Sequence, residues 1–128
     1  MSPRTLQVIP ILRIFSVEKA REFYLDYAGF HLDWEHRFEP NLPLYMQVSR
    51  DGLVLHLSEH YGDGSPGTRF QVTFKGVRAL HTEPAAKNYN YWRPGLTETF
   101  WGTNQMSLLD PFGNKISLCE PKPDDSAS

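Results

Sequence analysis

Apolar and polar residues alternate with a period of two along most of this chain, broken by two stretches of helical character and by glycine-rich turns. The run "LQVIPILRIF" (residues 6–15) is rich in branched side chains and predicts a strand. Pro10 interrupts it; without an N–H to give, proline belongs at an edge, a bulge or a hinge. In "SVEKAREFYLDYAGF", Val17, Ala20, Phe23, Tyr24 and Tyr27 fall at helical spacing. Ser16 is placed to cap that helix, Lys19 stands where a capping box would need Glu or Gln, and Gly29 supplies the stop.

Three strand-like runs follow. "FHLDWEHRF" (30–38) puts Phe30, Leu32, Trp34, His36 and Phe38 on one side by strict alternation. "PLYMQVS" (43–49) sets Leu44, Met46 and Val48 against Tyr45, Gln47 and Ser49. "LVLHLSE" (53–59) sets Leu53, Leu55 and Leu57 against Val54, His56 and Ser58, after a tight-turn signal "RDG". The loop "YGDGSPG" (61–67) reads as a linker. The order then restarts. "TRFQVTF" (68–74) is a strand, and residues 76–88 begin helical until Pro84 ends or kinks them. "YNYWRPG" is irregular, two strands surround "DPFG" within 99–120, and 121–128 form a polar, acidic tail. The halves superpose in pattern, with Gly52 over Gly113, His56 over Ser117 and Glu59 over Glu120. The expected class is α+β, one domain over 1–128. Two βαβββ modules (about 1–60 and about 68–120, linker 61–67, tail 121–128) would form a curved, half-open mixed sheet with a cleft.

Composition narrows the function. The 128 residues carry a formal charge of -2, which argues against a nucleic-acid binder with its basic stripe. No run approaches the roughly 18 apolar residues of a membrane span, and the broken apolar start is not a signal peptide. Cys119, the single cysteine, leaves no disulfide framework or cysteine zinc site and suits a buried thiol in a reducing cytoplasm. It has no neighbouring His or basic cluster to activate it, and there is no GxSxG. "GDGSPG" lacks the Lys–Ser/Thr ending of a phosphate-binding loop.

The stretches "ILRIFSVEKAREFYLDYAGF", "LVLHLSEH" and "LLDPFGNKISL" resemble the vicinal oxygen chelate superfamily. The pairing of "FYxxxxGF" with a later "DPxGN", with "VIPIL" and "WGT", is similar to its glyoxalase-like, bleomycin-resistance branch. The resemblance implies paired βαβββ modules, usually in a homodimer. It also implies, in the metal enzymes, four inward ligands on the first and last strand of each module. The equivalent positions here are Ile9, His56, Arg69 and Ser117, the first-strand registers being uncertain by a residue or two. Only His56 is a competent ligand; a two-residue shift would bring in Gln71 and still leave the set short of the three protein ligands a catalytic metal takes. The expectation is therefore no metal and no cofactor.

Without a metal, the resemblance implies sequestration of a large drug in an aromatic, polar cleft. The candidate ligand-binding residues are Trp34, His36, Phe38, Tyr45, Gln47, His56, Ser58 and Trp101. Each has a plainer role open to it. Trp34 and Phe38 could be core or dimer packing, Tyr45 and Gln47 a solvated sheet face, Trp101 a prop under its turn, and His56 a hydrogen-bonded wall residue. Residues 88–92, "NYNYW", fit a lid or a dimer contact equally. The resembled proteins exchange their N-terminal strand at a proline, which implies a dimer hinged at Pro10. The preferred reading is a cytoplasmic, homodimeric protein that sequesters a bulky small molecule, a bleomycin-type antibiotic being the candidate, with no nucleic acid or membrane partner. The alternatives are a metal-dependent glyoxalase-like lyase, isomerase or thiol transferase, and an interaction protein whose trough takes a peptide.

Overall fold

The computed structural model describes residues 2–77, 79–80, 96–98 and 103–121, and the chain divides into two compact units, Met1–Pro66 and Gly67–Ser128. The strands are β1 (Ile11–Arg13), β2 (His31–His36), β3 (Tyr45–Arg50) and β4 (Leu53–Ser58), then β5 (Arg69–Thr73), β6 (Leu96–Glu98), β7 (Thr103–Leu109) and β8 (Lys115–Pro121). They form two four-stranded sheets of equivalent order, β1-β4-β3-β2 and β5-β8-β7-β6. In each the first strand runs parallel to the last, and the remaining pairs are antiparallel. The repeat seen in the letters is thus a repeat of topology.

In the first unit, Ser16 accepts from the Lys19 N–H at 3.2 Å and starts helix α1 (Val17–Arg21). The helix then widens into a π-helical turn over Glu22–Tyr27, with the Ala28 N–H reaching the Phe23 carbonyl five residues back. The wider turn keeps Ala20, Phe23, Tyr24 and Tyr27 all buried, and Gly29, at φ 75°, ends it. Leu12, Met46, Val48, Leu55 and Leu57, each no more than 1% exposed, make the buried face of the sheet. Glu35 lies on that same side, in register with Met46 and Leu57, and bonds Arg21 of α1, which places the helical segment over this face. Burying each such side chain contributes about 1.5–3 kcal/mol. Asp51 (φ 49°) and Gly52 (φ 86°) make the two-residue turn between β3 and β4 that "RDG" predicts.

Strand β1 is shorter than the predicted 6–15: only Ile11–Arg13 pairs. Pro10 contributes its carbonyl, which accepts from the His56 N–H at 3.0 Å. Gly64, at φ 73°, presses on this strand; a Cβ there would stand 2.7 Å from the Ile11 carbonyl oxygen.

In the second unit, Ile116, Leu118, Met106 and Leu108 are buried with Val77 and Leu80 of the adjoining helical turn. The Glu120 carboxylate accepts from the Val77 N–H at 3.1 Å. The other side of the sheet carries Gln71, Ser117 and Ser107 in one row and Thr73, Cys119 and Gln105 in the next. The Cys119 thiol is 2% exposed, and burial raises its pKa. Most of the helix expected over 76–88, the segment 88–92, Phe100, Trp101 and the tail beyond 121 lie outside the described residues.

Candidate ligand-binding site

The open face of the first sheet carries the candidate residues because the pleat sends every second side chain away from the helix. Cross-strand register sets the rows. Ile11, His56, Gln47 and Trp34 lie abreast, and Arg13, Ser58, Tyr45 and His36 form the next row. Strict alternation along 30–38 does not survive. Leu32 pairs with Val48 of the buried side, but Trp34 pairs with Gln47 of the open side, with Asp33 inserted between them as a bulge. The extra residue reverses the parity of the strand and brings Trp34 and His36 onto the face of His56. Asp33 turns to the same face, accepting from Gln47 Nε2 and Ser49 Oγ, both at 3.0 Å.

The result is an aromatic array. The Trp34 and Tyr45 rings are near parallel, 11° apart, with centroids separated by 6.0 Å. The His56 imidazole meets both edge-on, at 5.4 Å from Trp34 and 5.2 Å from Tyr45. Trp34 is 42% exposed, so its ring is available to a ligand. His36 is exposed and packs edge-to-face on Phe38, which is 76% exposed beyond the end of β2. Ser58 stands apart from these. It is fully buried, donating to Asp63 at 2.8 Å and accepting from the His60 N–H at 3.0 Å. Asp33 and Asp63 are the residues the sequence did not single out. The signal available for Asp33 was a strand-averse residue in mid-run; Asp63 lay in a loop read only as a linker.

Both His56 nitrogens are engaged. Nδ1 is 2.7 Å from the Tyr45 hydroxyl and Nε2 is 2.9 Å from Gln47 Oε1. An imidazole that uses its lone pair on a phenol has none to give a metal. The first-strand positions also differ from Ile9 and Arg69. Ile11 stands across from His56 and Gln71 across from Ser117, a shift of two residues in each unit. The bond from the His56 N–H to the Pro10 carbonyl and that from the Lys115 N–H to the Thr68 carbonyl fix these registers. In the first unit the pair is a hydrocarbon, Ile11, and a committed imidazole, His56; in the second it is an amide, Gln71, and a hydroxyl, Ser117. Neither pair offers the donors that the divalent ion of the metal enzymes takes. Among the described residues no three His, Cys, Asp or Glu side chains gather as a metal cluster.

Burial lowers the His56 pKa from its ordinary 6.5, since charge is disfavoured in a partly dry setting. The unfolded chain then takes up a proton that the folded one resists. Stability is complete above the unfolded value and falls as pH drops from 6.5 through the folded pKa. The urea midpoint should therefore decline between about pH 7.5 and about pH 5 more steeply in the native protein than in His56→Gln. Equal slopes would show that His56 is as solvated folded as unfolded. Tyr45 titrates in the opposite direction, raised by burial and by the Asp63 carboxylate, so its hydroxyl keeps its proton across this range.

No helix among the described residues is long and apolar enough to cross a membrane. No curated protein sequence matches this chain. Antibiotic-binding proteins are among the solved structures it resembles. A bleomycin-binding protein complexed with bleomycin aligns at TM-score 0.70 and 18% identity, covering 92% of this chain and all of the other. TnmS3, an antibiotic binding protein from Streptomyces sp. CB03234, aligns at 0.72 and 25%, covering 95% and 99%. A bleomycin-binding protein from Streptomyces verticillus complexed with copper(II)-bleomycin aligns at 0.64 and 22%, covering 94% and 100%. The family described as "Glyoxalase superfamily protein" matches residues 4–125, nearly the whole length, and the chain belongs to the glyoxalase superfamily, in its vicinal oxygen chelate fold.

Proposed function

We propose that this protein is a metal-independent binding protein that sequesters a bulky small molecule, a bleomycin-type antibiotic being the candidate, and so confers resistance to it. The observation that carries this reading is the ring pair of exposed Trp34 and half-buried Tyr45, braced by an imidazole whose two nitrogens are both taken. Such a surface offers broad apolar contact and no reactive centre. Gln47, His36 and Phe38 extend it, and Trp101 is assigned to the same ligand by its place before the last strand pair. The likeness to bleomycin-binding structures supports the ligand class.

The working form in this reading is a cytoplasmic homodimer built on one glyoxalase-like domain, with the segment before Pro10 exchanged between protomers. Leu6 and Val8, 84% and 77% exposed, alternate as a strand's apolar side chains do and support that exchange. Sedimentation at micromolar concentration should return twice the chain mass; a monomer removes the exchange.

Bleomycin at a hundredfold excess over its dissociation constant should stabilise the protein by about 2.7 kcal/mol. Trp34→Ala should weaken binding by about 2 kcal/mol, or roughly thirtyfold, since aromatic residues dominate such contacts. An unshifted melting curve at millimolar bleomycin excludes that antibiotic. A stoichiometric divalent ion in the purified protein, lost on His56→Ala, would favour a glyoxalase-like enzyme instead.

A further inference from the structure

The open face of the first sheet is polar as well as aromatic, and its hydrogen bonds run in one direction. Ser49 Oγ donates to Asp33 Oδ1, and Gln47 Nε2 donates to Asp33 Oδ2. With its NH2 turned to Asp33, Gln47 must present Oε1 to His56 Nε2, which lies 2.9 Å away. An amide turned the other way would set its oxygen against a carboxylate, acceptor against acceptor. His56 Nε2 therefore carries the hydrogen, Nδ1 is bare, and the Tyr45 hydroxyl, 2.7 Å from it, donates. The hydroxyl hydrogens of Ser49, Tyr45 and Ser58 all point at protein acceptors, the last at Asp63.

We infer that Asp33 is a specificity-determining positioning residue. Acting through Gln47 and His56, it turns the Tyr45 oxygen into an acceptor beside the Trp34 ring, so that the site selects a planar heteroaromatic ligand bearing an N–H donor. The inference rests on the proposed binding function and names the chemistry that this face recognises. Asp33 can play this part because the bulge that carries it also reverses the strand's parity, placing carboxylate and indole side by side. The two hydrogen bonds, from Gln47 first and Ser49 second, keep its pKa below the ordinary carboxylate value, so it remains an acceptor at neutral pH. A ligand with an acceptor edge would meet lone pairs on Tyr45 and Asp33 alike. A donor edge would be received by both. The same face also carries donors, among them the second amide hydrogen of Gln47, the indole N–H of Trp34 and, in the row of Tyr45, the His36 ring and the Arg13 guanidinium, so the preference is set where the Tyr45 oxygen and the Asp33 carboxylate flank the indole.

The test has two arms. In the unliganded protein, the nitrogen shifts of His56 should show the Nε2–H form alone. Asp33→Asn, which can face Gln47 with either end of its amide, should give a mixture of the two forms. A native Nδ1–H form, or an unchanged pattern in the variant, overturns the relay. In the second arm, 9-aminoacridine and acridine-9-carboxylate serve as matched ring probes of opposite edge. The native protein should prefer the amine at least tenfold. Gln47→Met, which keeps the Asp33 charge but cuts the relay, should reduce that preference by about threefold or more. An intact preference in Gln47→Met means that Asp33 acts by charge alone and overturns the relay. Equal binding of the two probes, or of neither, overturns the donor assignment whatever bleomycin does. A retained acridine preference without bleomycin binding overturns the antibiotic and leaves the site standing.

Discussion

Phe23→Ala should destabilise the protein by about 3–5 kcal/mol, the range for emptying a buried phenylalanine site. Phe23 is 0% exposed and sits at the start of the π-helical turn. Its ring meets Tyr24 edge-on at 4.9 Å and Tyr27 at 5.3 Å, and Tyr24 in turn meets Phe30 at 5.9 Å. Truncation removes one member of a four-ring cluster, so the loss includes dispersion contacts as well as transfer free energy. The cavity cannot close easily. The Phe23 carbonyl holds the Ala28 N–H at 2.8 Å and the Tyr24 carbonyl holds the Phe30 N–H at 2.8 Å, which pin the backbone on both sides. Phe23→Leu, which refills part of the volume, should cost about 1–2 kcal/mol. Urea denaturation of the three proteins measures both differences. A loss below about 1 kcal/mol for the alanine variant would mean that this ring is not a core side chain.

The helix, the β3–β4 turn and the duplicated strand order were legible because each is written locally. Ser16 before an apolar 3.6-residue period, "RDG" between alternating runs, and Gly52 over Gly113 need no tertiary information. The inward parity of Tyr45, Gln47 and His56 was legible for the same reason: nothing between 43 and 58 departs from alternation except the tight turn. Three features were not. The bulge at Asp33 is an insertion into the pairing of β2 with β3, and it exists only relative to the partner strand. The shift from Ile9 to Ile11 and from Arg69 to Gln71 is a register between strands more than forty residues apart, set by backbone bonds that side-chain patterns do not report. Widening of the helix into a π turn leaves the same residues buried, so the apolar period could not distinguish it. The site itself was half visible. Its rings could be named, but the direction of its hydrogen bonds depends on Asp33, whose place follows from the bulge.

Asp110→Ala should cost about 3–4 kcal/mol, because the "DPFGN" turn is built around its carboxylate. Asp110 is 4% exposed. Its Oδ1 accepts from the Phe112 and Asn114 N–H groups, each at 2.8 Å, and Oδ2 accepts from the Asn114 side-chain amide, also at 2.8 Å. Alanine takes this acceptor from all three donors, and Asn114, 0% exposed, has no water to replace it. The damage should also travel, because Asn114 Oδ1 holds the Thr68 N–H at 3.0 Å where β5 begins. Lys115 returns the link by donating its N–H to the Thr68 carbonyl at 2.8 Å. The turn is thus the clamp that sets β5 against β8. Hydrogen exchange in Asp110→Ala should lose protection along β5 and β8 first, while β2 and β3, which belong to the first compact unit, keep theirs until global unfolding. Asp110→Asn retains one oxygen for the two backbone donors and should cost about half as much. If the alanine variant lost protection evenly across both sheets, the turn would be no more than a connector, and the clamp assigned to Asp110 and Asn114 would have to be given up.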